Sequence, residues 1–230
     1  MPETLTGMLR DGSVLKGLDK SLSDSLVAKG ATLVLGEGQS LFLEGDVASG
    51  FYIVKSGGLK ATRLSPEGSE QLLAVFGPGD SIGEMGMFDT EPRSATISAL
   101  RDSSLIHWSS KAFFDFADAN GALYRHLLTM MACRLRDTND ALAARDFLPL
   151  AGQLARAMLR LGTGLGDAQG DDSIRIVHKL TQAELAAMIG ASRENVSRVI
   201  NDWKRKGIIS REQGYYRLID LGRLQELSKG

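Results

Sequence analysis

Hydrophobic residues arrive along this chain in two rhythms. Up to Ser109 they come in short runs, ATLVLGEG, FYIVKSG, LKATRLS, QLLAVFGPGD, SATISAL and SSLIHWS, about ten residues apart. Gly-Gly, Pro-Glu-Gly and Gly-Pro-Gly stand between them, and short apolar runs bounded by such turn residues predict strands. Strands at so even a spacing predict an all-β sandwich or roll. LSPEGSEQ predicts a hairpin turn, with Pro66 and Gly68 where turns need them. Glycine follows the same division: fifteen of the 26 precede residue 87 and none lies between Gly86 and Gly121.

After Ser109 the period lengthens. KAFFDFADAN predicts a short helix, and a long helix follows from about Gly121 to Phe147. In it Leu128, Met131, Leu135, Thr138 and Leu142 are spaced 3, 4, 3 and 4, the repeat of a coiled-coil seam over about two heptads. Arg134, Arg136, Asp137 and Asp140 leave little apolar surface elsewhere, so the seam predicts a dimer rather than a helix face packed on the roll. Thr138 is its one polar member. Pro149 predicts a break, QLARAMLRLG an amphipathic helix, GTGLGDAQGDD a flexible loop, and IRIVHKL a strand.

The stretch TQAELAAMIGASRENVSRVINDWKRKG is the most specific. Thr181 and Glu184 have the spacing of a capping box. Gly190 permits a tight turn, and Ser192 can cap a second helix. On that helix Val196, Val199, Ile200 and Trp203 recur at helical spacing and predict the inward face. Arg193, Glu194, Ser197, Arg198 and Asn201 share the other face. Two short helices joined by a glycine turn read as a helix-turn-helix. Arginine can bond bidentately to guanine and glutamate can accept from cytosine, while Lys204, Arg205 and Lys206 stand where phosphates are met. GIISREQGYYRLID alternates into a hairpin around Glu212–Gly214, a wing beside the helices.

Charge sharpens this picture. The whole chain has 27 Lys+Arg and 28 Asp+Glu, a net charge of −1. Residues 1–146 hold 14 basic against 19 acidic residues, whereas residues 179–230 hold 10 against 6. A basic C-terminal segment fits an anionic partner there and argues against a DNA-packaging protein, whose charge would not be confined to one end. One cysteine, Cys133, excludes a disulfide framework, a zinc ribbon and a cysteine-ligated cluster within one chain. His107, His126 and His178 are scattered, so no metal site is expected, and a cupin-like enzyme on the roll would lack its ligands. No apolar run approaches the roughly 20 residues that span a bilayer, and MPETLTGMLRDGS has no signal-peptide pattern. A cytoplasmic protein, without a membrane partner, is expected.

GEMGMFDTEPRSAT, residues 83–96, holds a carboxylate, a guanidinium and a hydroxyl close together. Arg93 is a fork-shaped counterion for a phosphate, and Ser94 can donate to the same phosphate. Gly83 allows close backbone approach, Glu84 can accept from a sugar hydroxyl, and a helical turn at about Glu84–Phe88 can add backbone donors.

These segments resemble the CRP/FNR family of transcription regulators, in its cyclic-AMP receptor branch. LTQAELAAMIGASRENVSRVIN is similar to the family's DNA-reading unit, and FLEGDVASGFYIVKSGGLKATR to its cyclic-nucleotide-binding roll. GDSIGEMGMFDTEPRSAT is similar to the phosphate-binding cassette of that roll. The resemblance covers nearly the whole chain. It implies an α+β fold: an N-terminal antiparallel β-roll (jelly roll) over 1–118, a dimerisation helix over 119–147 and a winged helix-turn-helix over 148–230. It also implies a non-enzymatic homodimer that binds double-stranded DNA. Cyclic AMP would be the allosteric ligand, with cyclic GMP as a second candidate. The implied ligand residues are Gly83, Glu84, Arg93, Ser94, Arg134, Thr138 and Asn139, the last standing where relatives carry serine. The implied DNA-binding residues are Ser192, Arg193, Glu194, Asn195, Ser197 and Arg198, at a palindrome with TGTGA-like half-sites. RNA polymerase is the implied partner, with 162–172 as a candidate contact. The alternative is a relative that answers to another small molecule or is constitutively active.

Overall fold

The short apolar runs of the first half fold into one antiparallel sheet of six strands in the computed structural model, which describes Leu15, residues 17–64 and residues 70–229. The strands are β1 (Ala31–Leu35), β2 (Ser40–Phe42), β3 (Gly50–Leu64), β4 (Glu70–Phe76), β5 (Ser81–Ile82) and β6 (Thr96–Ser109). They run β1-β6-β3-β4, with β2 also paired to β6 and β5 to β3. Helix α1 (Lys20–Lys29) precedes the sheet, and a single helical turn, α2 (Met85–Phe88), interrupts it. The expected hairpin turn at Pro66 and Gly68 lies outside the described residues.

Two pairs of runs expected to be separate strands are continuous. FYIVKSG and LKATRLS join as β3, and SATISAL and SSLIHWS join as β6. The reason lies at Gly57-Gly58. Gly57 has φ +95°, and a Cβ there would meet the Ser103 Oγ at 2.2 Å and its Cα at 2.5 Å. The chain bulges instead of turning: register shifts occur between Val54 and Leu59, and Ser103 Oγ accepts from the Gly58 amide at 3.0 Å.

Two apolar layers hold this half together. One fills the roll, with Val54, Leu59, Ile97 and Leu105 fully or almost fully buried. The other lies where Phe51, Ile53, Ile106 and Trp108 meet the helices, and Trp108 Nε1 donates to the Leu26 carbonyl at 2.9 Å. Its helices are α1, α3 (Ser110–Asp118) and the start of α4 (Ala122–Phe147). Leu123, Leu127 and Met130 of α4 are buried there, so the helix has more apolar surface than its charged residues imply. The seam positions divide: Met131 packs partly buried against that core, whereas Leu128 is 71% and Leu135 63% exposed. Leu142 lies outside the described side chains.

The described residues divide between two compact units. One runs to Arg63 and from Ala74 to Asp137; the other holds Leu64, residues 70–73 and the chain from Thr138 onward. In the second unit α5 (Leu150–Leu165) packs on a sheet of β7 (Gly166–Ala168), β8 (Ile174–Ile176), β9 (Ile209–Glu212) and β10 (Tyr215–Leu218), ordered β7-β8-β10-β9. Helices α6 (Gln182–Ile189), α7 (Arg193–Arg205) and α8 (Leu221–Leu227) complete it.

The 162–172 stretch departs from the loop expected there. Helix α5 continues through Leu165 and strand β7 follows at once. Gly162 and Gly166 serve close packing: a Cβ on Gly162 would meet Leu218 Cδ1 at 2.8 Å, and one on Gly166 would meet Gly162 O and Ile174 Cγ2, both at 2.2 Å. The expected strand over 174–180 is real but shorter, ending at Ile176.

Candidate functional site

Arg93 is the centre of the roll's polar site. Its backbone is pinned by the Glu44-Gly45-Asp46 turn: Gly45 N donates to Arg93 O at 2.8 Å, and Arg93 N to Asp46 O at 2.9 Å. Gly45 takes φ +89°, and Asp46 Oδ2 accepts from the Leu43 amide at 2.8 Å to close the turn. The side chain is only 5% exposed. Nη1 donates to Gly83 O at 2.6 Å and Nη2 to Gly50 O at 2.7 Å, while the guanidinium lies 4.2 Å over the Phe42 ring. Gly83 is required here: at φ +82° a Cβ would come within 2.4 Å of Arg93 Nη1. Burial lowers the guanidinium's proton affinity, and the neighbouring Tyr52, Glu84 and Asp46 oppose that.

Glu84 is 2% exposed and leads into α2. Its Oε1 pairs with Arg134 Nη1 from α4, and Arg134 Nη2 donates to Ser81 O at 2.9 Å and to Ser81 Oγ at 3.0 Å. Burial pushes the Glu84 carboxyl above the ordinary carboxylate range, and the Arg134 charge pulls it partly back. Helix α2 spends its short turn on itself, with Met87 N bonded to Glu84 O and Asp89 N to Met85 O.

Two buried polar atoms in this cluster have no hydrogen-bond partner among the described residues: Glu84 Oε2, an acceptor, and Arg93 Nε, a donor. Buried polar groups are normally paired. An orphaned acceptor beside an orphaned donor on a buried cation fits a ligand that carries both a hydroxyl and an anionic oxygen. A cyclic nucleotide does. Ser94 is exposed beside Arg93. The structure therefore brings Gly83, Glu84, Arg93, Ser94 and Arg134 together in the first unit. Thr138 and Asn139 are exposed on α4 in the second unit.

Phe42, Gly50, Tyr52 and Ser81 were not legible as site residues. Each lies inside a segment similar to the family's roll or cassette, but it reaches the cluster through strand pairing or burial, which the segment alone does not show.

The second unit carries the other candidate surface. Both expected caps form: Thr181 N donates to Glu184 Oε2 at 2.7 Å and Glu184 N to Thr181 Oγ1 at 3.1 Å, while Ser192 Oγ accepts from Asn195 N at 3.3 Å. Gly190 is left-handed at φ +66°. Val196, Ile200 and Trp203 of α7 are buried, and Val199 is half-buried rather than fully inward. Ser192, Arg193, Glu194, Asn195 and Arg198 are exposed and Ser197 half-exposed; Arg198 Nη2 donates to Asn195 Oδ1 at 2.7 Å. Lys206 and Arg205 pair with Asp202 at 2.7 and 3.3 Å. Tyr215 and Arg217 of the wing strand β10 stand near cations and an acid: Arg175 lies over the Tyr215 ring, and Arg217 pairs with Asp171. Asp171 is thereby held at about 2, chiefly by its hydrogen bonds to Ser173 and Arg217.

Residues 32–120 match the family model of the cyclic nucleotide-binding domain, and residues 152–227 that of the Crp-like helix-turn-helix domain. The chain is 31% identical over 205 residues to a CRP-like cAMP-activated global transcriptional regulator of Mycobacterium tuberculosis, covering 89% of this chain and 91% of the relative. It belongs to the CRP-like family of cyclic-nucleotide-binding transcription regulators. Another member, the cyclic AMP receptor protein of Thermus thermophilus, is 29% identical over 195 residues, 84% of this chain and 86% of that one. Among solved structures, the T. thermophilus catabolite activator protein is 27% identical with a TM-score of 0.53, covering 94% of this CRP-like chain and 98% of its own. A CRP/FNR-family regulator of the same organism shares the fold with a TM-score of 0.72 at 24% identity, covering 87% and 99%. Among the described residues no helix is long and apolar enough to cross a membrane, and no group of three His, Cys, Asp or Glu stands where it can hold a metal ion.

Proposed function

We propose that this CRP-like chain is a homodimeric, cytoplasmic transcription regulator switched by a cyclic nucleotide, with cyclic AMP as ligand and cyclic GMP as the second candidate. The observation that carries the reading is the buried Arg93 and Glu84 pair with one unpartnered polar atom on each. Arg93 and Ser94 take the cyclic phosphate, and Glu84 accepts from the ribose hydroxyl. Gly83 keeps Arg93 in place, Arg134 holds Glu84, and Thr138 and Asn139 meet the base. The chain acts as a regulator and not as an enzyme. The exposed Leu128 and Leu135 support α4 as the dimer seam. The proposed division is 1–118 for the roll, 119–147 for the dimer helix and 148–230 for the DNA-binding domain.

The mechanism is a shift between two pre-existing arrangements. Ligand binding favours the one in which two copies of α7 enter successive major grooves of a TGTGA-like palindrome. There Arg193, Glu194 and Arg198 read base edges, while Ser192, Asn195 and Ser197 meet the backbone or outer bases. RNA polymerase is the proposed partner of the bound dimer.

The test is paired titration with cyclic AMP and cyclic GMP, by calorimetry and by binding to a palindromic duplex. Saturable heat with at least one nucleotide and tighter DNA binding in its presence are expected. No heat with either, while DNA binding stays intact, would refute the ligand and leave a regulator that answers to another small molecule or is constitutive.

A further inference from the structure

His107 stands in β6 between Ala31 of β1 and Tyr52 of β3. Its ring packs on Tyr52 with centroids 4.9 Å apart, Tyr52 meets Phe42 at 6.1 Å, and the Arg93 guanidinium covers Phe42. A row of rings thus leads from the anion-binding arginine to an imidazole. The backbone gives the same proximity. Arg93 donates to Gly50 O, and Gly50 pairs with Ser109, two residues along β6 from His107. Like Arg93 Nε, His107 Nε2 is buried and has no hydrogen-bond partner among the described residues.

We propose that His107 is a proton-linked member of the anion site at Arg93: a phosphate that neutralises the guanidinium lets His107 take up a proton. The proposal rests on the reading of the roll as a cyclic-nucleotide site and adds to it a residue outside the cassette. Strand β1 presents Ala31 and β3 presents the Tyr52 ring. The charge acting on it is that of Arg93, behind which Glu84 and Asp46 act on the guanidinium. Burial, and then the Arg93 charge, hold the imidazole below its ordinary value, so it is neutral at neutral pH. The half-buried rings of Phe42 and Tyr52 stand between the guanidinium and the imidazole.

The sign follows from linkage. A bound phosphate removes one of the two causes, so the bound-state value of His107 exceeds the free-state value. Binding then takes up a proton between the two values, and affinity rises as pH falls through that window, by up to about tenfold for each unit of difference. A cyclic phosphodiester has no proton of its own to titrate near neutrality.

The three histidines can be followed by NMR pH titration, assigned with His107→Gln, His126→Gln and His178→Gln. His107 is expected to titrate below the ordinary imidazole value and to move upward in saturating cyclic AMP or cyclic GMP. Calorimetry near pH 6 in two buffers of different ionisation enthalpy should show proton uptake per mole of nucleotide bound, and that uptake should be absent from the binding of His107→Gln. A His107 titration that ignores bound nucleotide, or uptake that survives in His107→Gln, overturns the proposal. If neither nucleotide gives heat, the ligand reading fails separately. The coupling is then decided by Arg93→Gln, checked for its fold by circular dichroism, or by Phe42→Leu if that variant is unfolded. A rise of His107 in Arg93→Gln, or a shift in Phe42→Leu, supports the coupling, and an unmoved value refutes it.

Discussion

At the scale of single residues, Arg93 serves the fold as well as its proposed ligand. Its two bonds to the Gly83 and Gly50 carbonyls mean that Arg93→Ala leaves acceptors unpaired in a buried site. We expect loss of nucleotide binding together with about 1–3 kcal/mol of stability, read by calorimetry and urea unfolding. Arg134→Met should also destabilise, because Glu84 would keep its burial and lose its counter-charge. Adding Glu84→Gln should recover part of that stability, and failure to recover any would show that the pair is not what holds Arg134. Glu84 carries a pH signature. Its folded value is raised, so the folded chain binds more protons than the unfolded one above the ordinary carboxylate range. Its contribution is fully present below that range and is lost as pH rises through the raised value. Glu84→Gln should flatten that part of a stability–pH curve. The Arg93-to-Phe42 contact was invisible in the sequence because nothing local links a strand residue to a cassette 51 positions later.

At the scale of elements, the helix-turn-helix was the most legible part. Its caps, glycine turn and buried stripe are local or follow helical period, so sequence spacing decides them. Ser192→Ala should cost roughly 0.5–2 kcal/mol through loss of the α7 cap, measured by thermal unfolding. Glu194→Ala should instead relax one base-pair preference by roughly 1–3 kcal/mol in binding to a panel of duplexes. A loss equal on all sequences would show that this exposed glutamate reads no base. The strands were less legible. Gly57-Gly58 has the composition of a turn, and only the approach of Ser103 from β6 makes it a bulge. Gly162 and Gly166 misled in the same way, since flexibility and close packing both call for glycine.

At the scale of the whole molecule, the two faces of α4 have different fates. Leu123, Leu127 and Met130 are buried in the chain's own core, whereas Leu128 and Leu135 are exposed. Leu128→Asp with Leu135→Asp should therefore yield folded monomers by sedimentation and abolish binding to a palindrome; an intact dimer would refute the seam. The sequence by itself determined helices α3, α4, α6 and α7, the caps at Thr181 and Ser192 and the exposed polar face of α7, because helical period and capping act over short stretches of chain. Tertiary structure alone decided that Gly83 makes room for Arg93, that Arg134 pairs with Glu84 fifty residues away, and that a ring row joins Arg93 to His107. Those contacts depend on which strands pair and on which atoms burial leaves without water, and neither follows from the order of residues along one segment.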